Sequence, residues 1–594
     1  MFDTLKAKLV NSPEWIISSG VFLAFWLVNK SYTGPSVLND EIGYLANAAL
    51  ISGFIIDGAS SYHAGYSFFL APLFLLFSEP SQIWQAAMVL NAFLWAVSFL
   101  LLARILKTIV PQYDKGQLVI ALLISALYPT WITMSGYVFT TTAFVFVYLI
   151  AVLTLLFWKP DNIWTIIPHA IAVGYLYWIH PVGLAVCIAS VIVVVFVSLK
   201  EKSYNAMIFN IIVVVFFIFF YREVIDKWLV MLATPEDFIP LYQHYPGSES
   251  IMSRLFKDEF WIRLVSKSAG KISYLIVSSF GLILFGFIDA VSKSYHLIKK
   301  TTENNYGLSE LINRSAYAFL VLSLLGVLAT GVLFFSIGSS TRIDQWIYGR
   351  YAEMVVLPLL ALGFLSFWDR TWHKKVLISA AFFVIATGLL LNCIVSRDAV
   401  NLTITTVAFW PQYMILDNNY LYWMAAGALL MMMLGLIKNY SRLTSILALK
   451  IIVIIFLFSI VVNIFVHHRR MLAYGTPAEF AGIIRENYSS GTCVGVNPEE
   501  FGNIRYDPQV QQYHLHLFHL YDYTYQRMSP EEWLSSCDGP YLTYALDGLT
   551  EQEGVKLIGQ ELHISLYMLV KDDGHNLILP ENPSSIIFMG VYKD

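Results

Sequence analysis

Residues Tyr66–Phe77, Tyr-Ser-Phe-Phe-Leu-Ala-Pro-Leu-Phe-Leu-Leu-Phe, form an apolar run between His63 and Glu79. A helical membrane span needs roughly 20 mostly apolar residues, so this run is too short to cross comfortably. It reads as a helix lying at the interface or dipping partway in. The choice governs the whole chain, because one extra span inverts the sidedness of everything that follows. Without it, about 13 apolar segments of spanning length remain. They lie near 13–29, 83–103, 117–135, 138–157, 163–179, 181–199, 205–221, 272–291, 316–337, 353–368, 376–395, 420–437 and 446–466. With a cytoplasmic N-terminus, this count places Lys6, Lys8, Arg104, Lys107, Lys200, Lys202, Lys299, Lys300, Lys374 and Lys375 among the inside charges. The short external loops then hold Lys30, Arg342, Arg350 and Arg397. That asymmetry obeys the positive-inside rule. The run His467-His468-Arg469-Arg470 opposes it and reads as an interfacial anchor with snorkelling side chains.

Composition excludes the other classes. Of 594 residues, 57% are hydrophobic and 13% charged, whereas a soluble chain carries about a quarter charged. The 41 acidic and 37 basic residues sum to a charge of -4, which provides no general basic surface for nucleic acid. A 15% aromatic content excludes a disordered chain. The expected architecture is therefore an α-helical polytopic membrane protein. It has a membrane domain over 1–466, long external loops at 30–82 and 222–271, and a small C-terminal extracytoplasmic α/β domain at 467–594.

Within that last domain, Thr476–Tyr488 reads as a helix, with Thr at the N-cap, Pro next, and Phe480, Ile483 and Ile484 as its apolar stripe. Cys493–Val496, Tyr541–Ala545 and His563–Leu569 read as strands. Cys493 and Cys537 both fall in this domain, and a bond between them suits an oxidising compartment; two free thiols are the other reading. Cys187 and Cys393 fall in apolar spans. The sequons at Asn401 and Asn487 decide nothing. The first apolar segment lacks a small-residue cleavage site and reads as an anchor. No internal repeat is visible, nor a GxxxxGK[ST] or GxGxxG phosphate loop.

Chemistry concentrates just beyond the first span. Asn39-Asp40-Glu41 sets two adjacent carboxylates at the membrane surface, where desolvation and mutual repulsion work against them. Such pairs mark a base, a cation site or a substrate site; the bland alternative is a solvated helix cap led by Asp40. Downstream follow Tyr62-His63-Ala64-Gly65-Tyr66, the short helix through Leu70-Ala71-Pro72-Leu73, and a second span holding Asn91 and ending in Ala103-Arg104.

This order resembles the GT-C superfamily of integral-membrane glycosyltransferases, which use lipid-linked sugar donors. The resemblance covers the first seven spans in layout and a much shorter stretch at motif level. It implies that Asp40 is the general base toward an acceptor hydroxyl, with Glu41 orienting the acceptor or binding a divalent cation. A sugar hydroxyl is a poor nucleophile until a carboxylate within hydrogen-bond reach removes its proton. Many members place a second acid between the third and fourth spans. Here that loop, Ser135-Gly136-Tyr137-Val138-Phe139-Thr140-Thr141-Thr142, has none, so the expectation is chemistry without a metal cofactor.

The leaving polyprenyl phosphate needs positive charge. Arg350, in Tyr348-Gly349-Arg350-Tyr351-Ala352-Glu353, sits where an Arg-Tyr pair recurs in GT-C proteins. It is the first candidate for the lipid phosphate, with Tyr348 or Tyr351 lining the path; an interfacial aromatic belt is the alternative. Arg222 is a second candidate, and His63 and Tyr66 lie close to the acidic pair in sequence. His180 reads as structural more readily than as a cavity residue. The cluster His514, His516 and His519 lacks a fourth zinc ligand. Pro235-Glu236-Asp237 and Tyr242–Pro246 suit a loop over a cavity.

The function expected from this reading is transfer of a hexosyl or pentosyl group from a polyprenyl-phosphate donor to an acceptor glycan, lipid or protein in the cell envelope. The site is expected outside the inner (cytoplasmic) membrane, with membrane lipids as further partners and no nucleic acid. The alternative is a flippase or transporter of lipid-linked sugars, which should carry polar groups inside its spans.

Overall fold

Pro13 and Pro80 open two long helices, Pro13–Asn29 and Pro80–Ile109. First-turn N–H groups have no intrahelical acceptor, so a proline there loses nothing. The two helices pack together, and Ser18 Oγ donates to the Ala96 carbonyl at 2.6 Å. The computed structural model describes residues 13–32, 34–35, 38–54, 62–232, 258–299, 308–337, 345–369, 374–394, 420–438, 442–473, 476–496, 521–543, 555–561, 567–571 and 586–587. Among these, seven helices are long and apolar enough to cross a membrane, or up to eight if a bent pair counts as one span. Shorter apolar helices include Lys115–Ala126, Thr140–Leu156, Ile163–Ile179 and Met424–Leu434.

The deciding run is a ten-residue helix, Ser67–Leu76, with Pro72 inside it. At 1.5 Å per residue this is about 15 Å long, half of a hydrocarbon core. Ser67, Leu70, Ala71 and Phe74 are buried, while Leu75 and Leu76 are about 70% exposed. One face packs on protein and the other is left for lipid.

Two expected spans are broken. The segment 117–135 divides at Tyr128 into Lys115–Ala126 and Pro129–Met134. Tyr128 precedes Pro129 and takes an extended ψ of 121°, because a residue before proline is driven out of the helical region. The segment 272–291 is two helices, Asp258–Ser278 and Leu282–Lys299, bent by 106°. Phe280 and Gly281 take φ of 50° and 81° at the break, and Gly281 N–H closes onto the Ile276 carbonyl at 2.7 Å. A left-handed residue ends a helix in this way. The second half then crosses Arg350–Asp369 so closely that a Cβ at Gly286 or Gly363 would enter the partner's backbone, the small-residue contact that membrane helices use.

The loop expected at 222–271 is helical at both described ends. Tyr204–Phe220 continues through a π-helical turn, Tyr221–Ile225, into Asp226–Leu232, and Asp258–Ser278 begins well before the expected span. Arg342, Arg397, Asn401, Pro235–Pro246 and His514, His516 and His519 lie outside the described residues.

The first helix and the last long helix, Arg442–Ala473, end on one face, where Tyr32 Oη lies 3.5 Å from His468 Nδ1. Beyond that helix, among the described residues, come Thr476–Asn487 and six strands: β1 Cys493–Val496, β2 Thr524–Arg527, β3 Tyr541–Thr543, β4 Val555–Glu561, β5 Tyr567–Lys571 and β6 Ile586–Ile587. They form one sheet in the order β2-β1-β3-β5-β4-β6. Pairs β1–β2 and β1–β3 are parallel, and the others antiparallel.

A Ser529/Glu532 capping box starts the helix Pro530–Ser536. Cys537 at its end is bonded to Cys493 of β1, beside Trp533 stacked on Tyr541. The sheet domain meets the membrane domain at Ser78, whose carbonyl accepts from Tyr521 Oη at 2.9 Å and Arg485 Nη2 at 3.2 Å.

Candidate active site

Asp40 and Glu41 lie in the first turn of the helix Leu38–Ile51, where the helix dipole favours negative charge. Asp40 is the third residue of the helix, and its side chain lies outside the described residues. Glu41 is 0% exposed, so it is no solvated surface acid. Its Oε1 accepts the Val138 N–H at 2.7 Å.

Val138 belongs to the wholly buried loop 135–139, the loop that carries no carboxylate of its own. Asn91 braces that loop from the helix Pro80–Ile109: Nδ2 donates to the Tyr137 carbonyl at 2.9 Å and the Ser135 carbonyl at 3.3 Å. Asn91 Oδ1 accepts from Tyr66 Oη at 2.5 Å. Tyr66 is thus a strut of the acidic side. Asn29 and His467 press so closely on Gly136 that a Cβ there would overlap both.

Arg350 meets the same loop one residue further on. It opens the helix Arg350–Asp369 and is 3% exposed, with its guanidinium 3.9 Å above the Phe139 ring, a cation–π contact. Phe139 in turn stacks on Tyr137. Glu41 and Arg350 are therefore held on consecutive residues of one loop, although they are far apart in the chain. Tyr351 packs on His180 with centroids 4.9 Å apart and on Tyr348 at 4.8 Å, and Tyr348 packs on Phe335 at 4.7 Å. Burial, then the charge of Arg350, holds the His180 imidazole well below the usual histidine range. Its Nδ1 accepts the Val182 N–H at 3.1 Å.

His63 sits in a turn clamped to the end of the helix Ile167–Ile179. Its Nδ1–H donates to the Tyr177 carbonyl at 2.5 Å, and its ring stacks on Tyr221 at 4.6 Å. Burial, with the nearby charge of Arg222 as a lesser cause, pushes its pKa down to about 4. Gly65 N–H donates to the Trp178 carbonyl at 2.7 Å, leaving no room for a Cβ. Arg222 is exposed on the π-helical turn, on the His63 side of the site. Among the described residues no contact joins it to Arg350.

Sequence reading passed over three buried charges on the cationic side. Lys267 and Lys271 sit one turn apart on the helix Asp258–Ser278, 0% and 2% exposed. Lys267 Nζ donates to the Phe335 carbonyl. Lys271 Nζ lies 4.4 Å from the Phe335 centroid and 5.7 Å from that of Tyr348. Among the described residues no carboxylate pairs with it. Glu353, 1% exposed, accepts on Oε1 from Tyr274 Oη at 2.7 Å, Thr130 Oγ1 at 2.8 Å and Tyr128 Oη at 3.0 Å. The signal available in sequence was the i, i+4 spacing of the lysines within an otherwise amphipathic stretch.

The chain has the fold of a protein of known structure. The chain is similar to the crystal structure of ArnT from Cupriavidus metallidurans bound to undecaprenyl phosphate. The TM-score is 0.50 at 14% identity, over 93% of this chain and 97% of that one. The apo form of that protein gives 0.49 at 12% identity, over 93% and 97%. An oligosaccharyltransferase from Archaeoglobus fulgidus gives 0.40 at 10%, over 97% of this chain and 76% of that one. No protein-family model and no curated protein sequence matches the chain.

Proposed function

We propose that the chain is a glycosyltransferase that moves a hexosyl or pentosyl group from a polyprenyl-phosphate donor to an acceptor glycan, lipid or protein. The reaction takes place on the extracytoplasmic side of the inner membrane, where the C-terminal domain also lies. The carrying observation is the loop 135–139, which holds a buried carboxylate at Val138 and a buried guanidinium at Phe139. The fold shared with a protein crystallised with undecaprenyl phosphate supports this reading.

Asp40, beside Glu41 in the same helical turn, takes the proton of the acceptor hydroxyl as that oxygen bonds to the anomeric carbon. The bond from that carbon to the phosphate oxygen breaks, its electron pair leaves with the oxygen, and polyprenyl phosphate is released. Arg350 binds the phosphate bidentately and Lys271 supplies a second positive charge, with Tyr348 and Tyr351 lining the path. Arg222, exposed on the far side of His63, is the weaker phosphate candidate. Glu41 spends one oxygen on Val138 N–H, so its role is to hold the acidic turn. The loop 135–142 offers no carboxylate to complete a cation site with Asp40 and Glu41, so the reaction is proposed to run unaided by metal.

The test is sugar transfer from a synthetic polyprenyl-phosphate donor by purified protein, with and without a chelator. Asp40→Asn is expected to lower the rate by about 100-fold or more while undecaprenyl phosphate still binds; an unchanged rate removes the base. One observation favours the rival, a flippase of lipid-linked sugars: Lys267, Lys271 and Glu353 are polar groups inside helices, as a transport path requires. Movement of labelled lipid across vesicles without a new glycosidic bond would establish that reading instead.

A further inference from the structure

We propose that Glu353 is a positioning residue that sets Arg350 and Lys271 at the spacing the donor phosphate requires. This inference rests on reading Arg350 as the phosphate site. A carboxylate removed from water is costly to bury, and an apolar residue would fill the space more cheaply. A group retained under that cost must secure something an apolar side chain cannot.

What it secures is the register of three elements on one oxygen. Tyr128 lies in the break before Pro129–Met134 and Thr130 in that helix, Tyr274 in the helix Asp258–Ser278, and Glu353 itself in the helix that Arg350 begins. Tyr274 stands one turn from Lys271, and Glu353 one turn from Arg350. The bond between Tyr274 and Glu353 therefore links the two cation-bearing helices at the level of their cations. The contact is close on the backbone side as well: the Tyr274 ring occupies the space where a Cβ on Gly349 would stand, and Glu353 N–H donates back to the Gly349 carbonyl at 3.0 Å. Rotation of either helix would move its cation, Arg350 off the Phe139 ring or Lys271 off the Phe335 and Tyr348 rings. A single phosphate would then no longer reach both charges.

The experiment measures undecaprenyl phosphate binding to the full-length protein in nanodiscs, with donor KM and kcat read separately. Glu353→Leu is expected to weaken binding about tenfold, raise donor KM alike and lower kcat as well, leaving acceptor KM near wild type. Glu353→Gln, which keeps an oxygen for the hydroxyls, is expected to recover most of the loss. Should Glu353→Leu fail to fold, Tyr274→Phe removes one hydroxyl and is expected to cost about threefold. That cost should largely vanish in a Lys271→Met background, because residues acting through one contact are not additive. Wild-type affinity in Tyr274→Phe, or an undiminished cost in the Lys271→Met background, overturns the proposal while leaving the donor reading intact. Failure of the wild-type protein to bind undecaprenyl phosphate overturns both.

Discussion

The acidic and cationic sides of the site are built by opposite means. Glu41 is held by a main-chain N–H, in a loop that Asn91 braces through main-chain carbonyls. Arg350 and Lys271 rest on aromatic faces. A carboxylate fixed by backbone is preorganised and keeps its place through a reaction. A cation on an aromatic ring is held by the ring's negative face. The difference fits a site whose acid stays put while an anion arrives and leaves.

The comparison is most sharply broken at Glu41. Glu41→Leu strands the buried Val138 N–H, costing about 1–3 kcal/mol, and loosens the loop that also carries Phe139. Melting temperature, transfer rate and donor affinity should all fall, whereas Glu41→Gln should restore the melting temperature. If Glu41→Leu leaves donor affinity untouched, the two sides are independent. A smaller effect is expected on the other side: Arg350→Lys keeps the charge but loses the planar fork and its stacking. Donor KM should rise about tenfold, with a melting temperature near wild type and kcat less affected.

The smallest effect concerns pH. The His63 pKa of about 4 lies below the ordinary value of 6.5. The folded state thus favours the neutral ring. Its contribution to stability is full above about 6.5 and declines as pH falls from there toward 4. His63→Gln should flatten that part of the stability profile and leave the rate profile between pH 6.5 and 8 unchanged. A rate profile that shifts in this window would make His63 a working acid or base.

Much of this was legible in the residues. The apolar run Tyr66–Phe77 is too short to span a bilayer, so a short helix there follows from length alone. Arg350 beside Tyr351 stood out through the resemblance, because an Arg-Tyr pair before an apolar run recurs in GT-C proteins. The strand at Cys493–Val496 followed from its residue pattern, and Cys493 and Cys537 offered a bond that the fold makes. The helix over 258–271 was not legible, because Asp258, Glu259, Arg263, Lys267 and Lys271 interrupt the apolar run and read as loop. Their charges are accommodated by carbonyls and aromatic rings from distant segments, and a window along the chain cannot see those. The loop 135–139 carries no carboxylate and instead contributes a backbone N–H and an aromatic face.

By itself the sequence determined that the chain lives in a membrane, where its short helix falls, and that an acid follows the first span, since these depend on local length and polarity. Only the tertiary structure decided where Lys267 and Lys271 are buried, where two expected spans break, and that one loop joins Glu41 to Arg350. Those depend on left-handed residues, on backbone donors every residue possesses, and on contacts between segments hundreds of positions apart, none of which leaves a periodic trace in the chain.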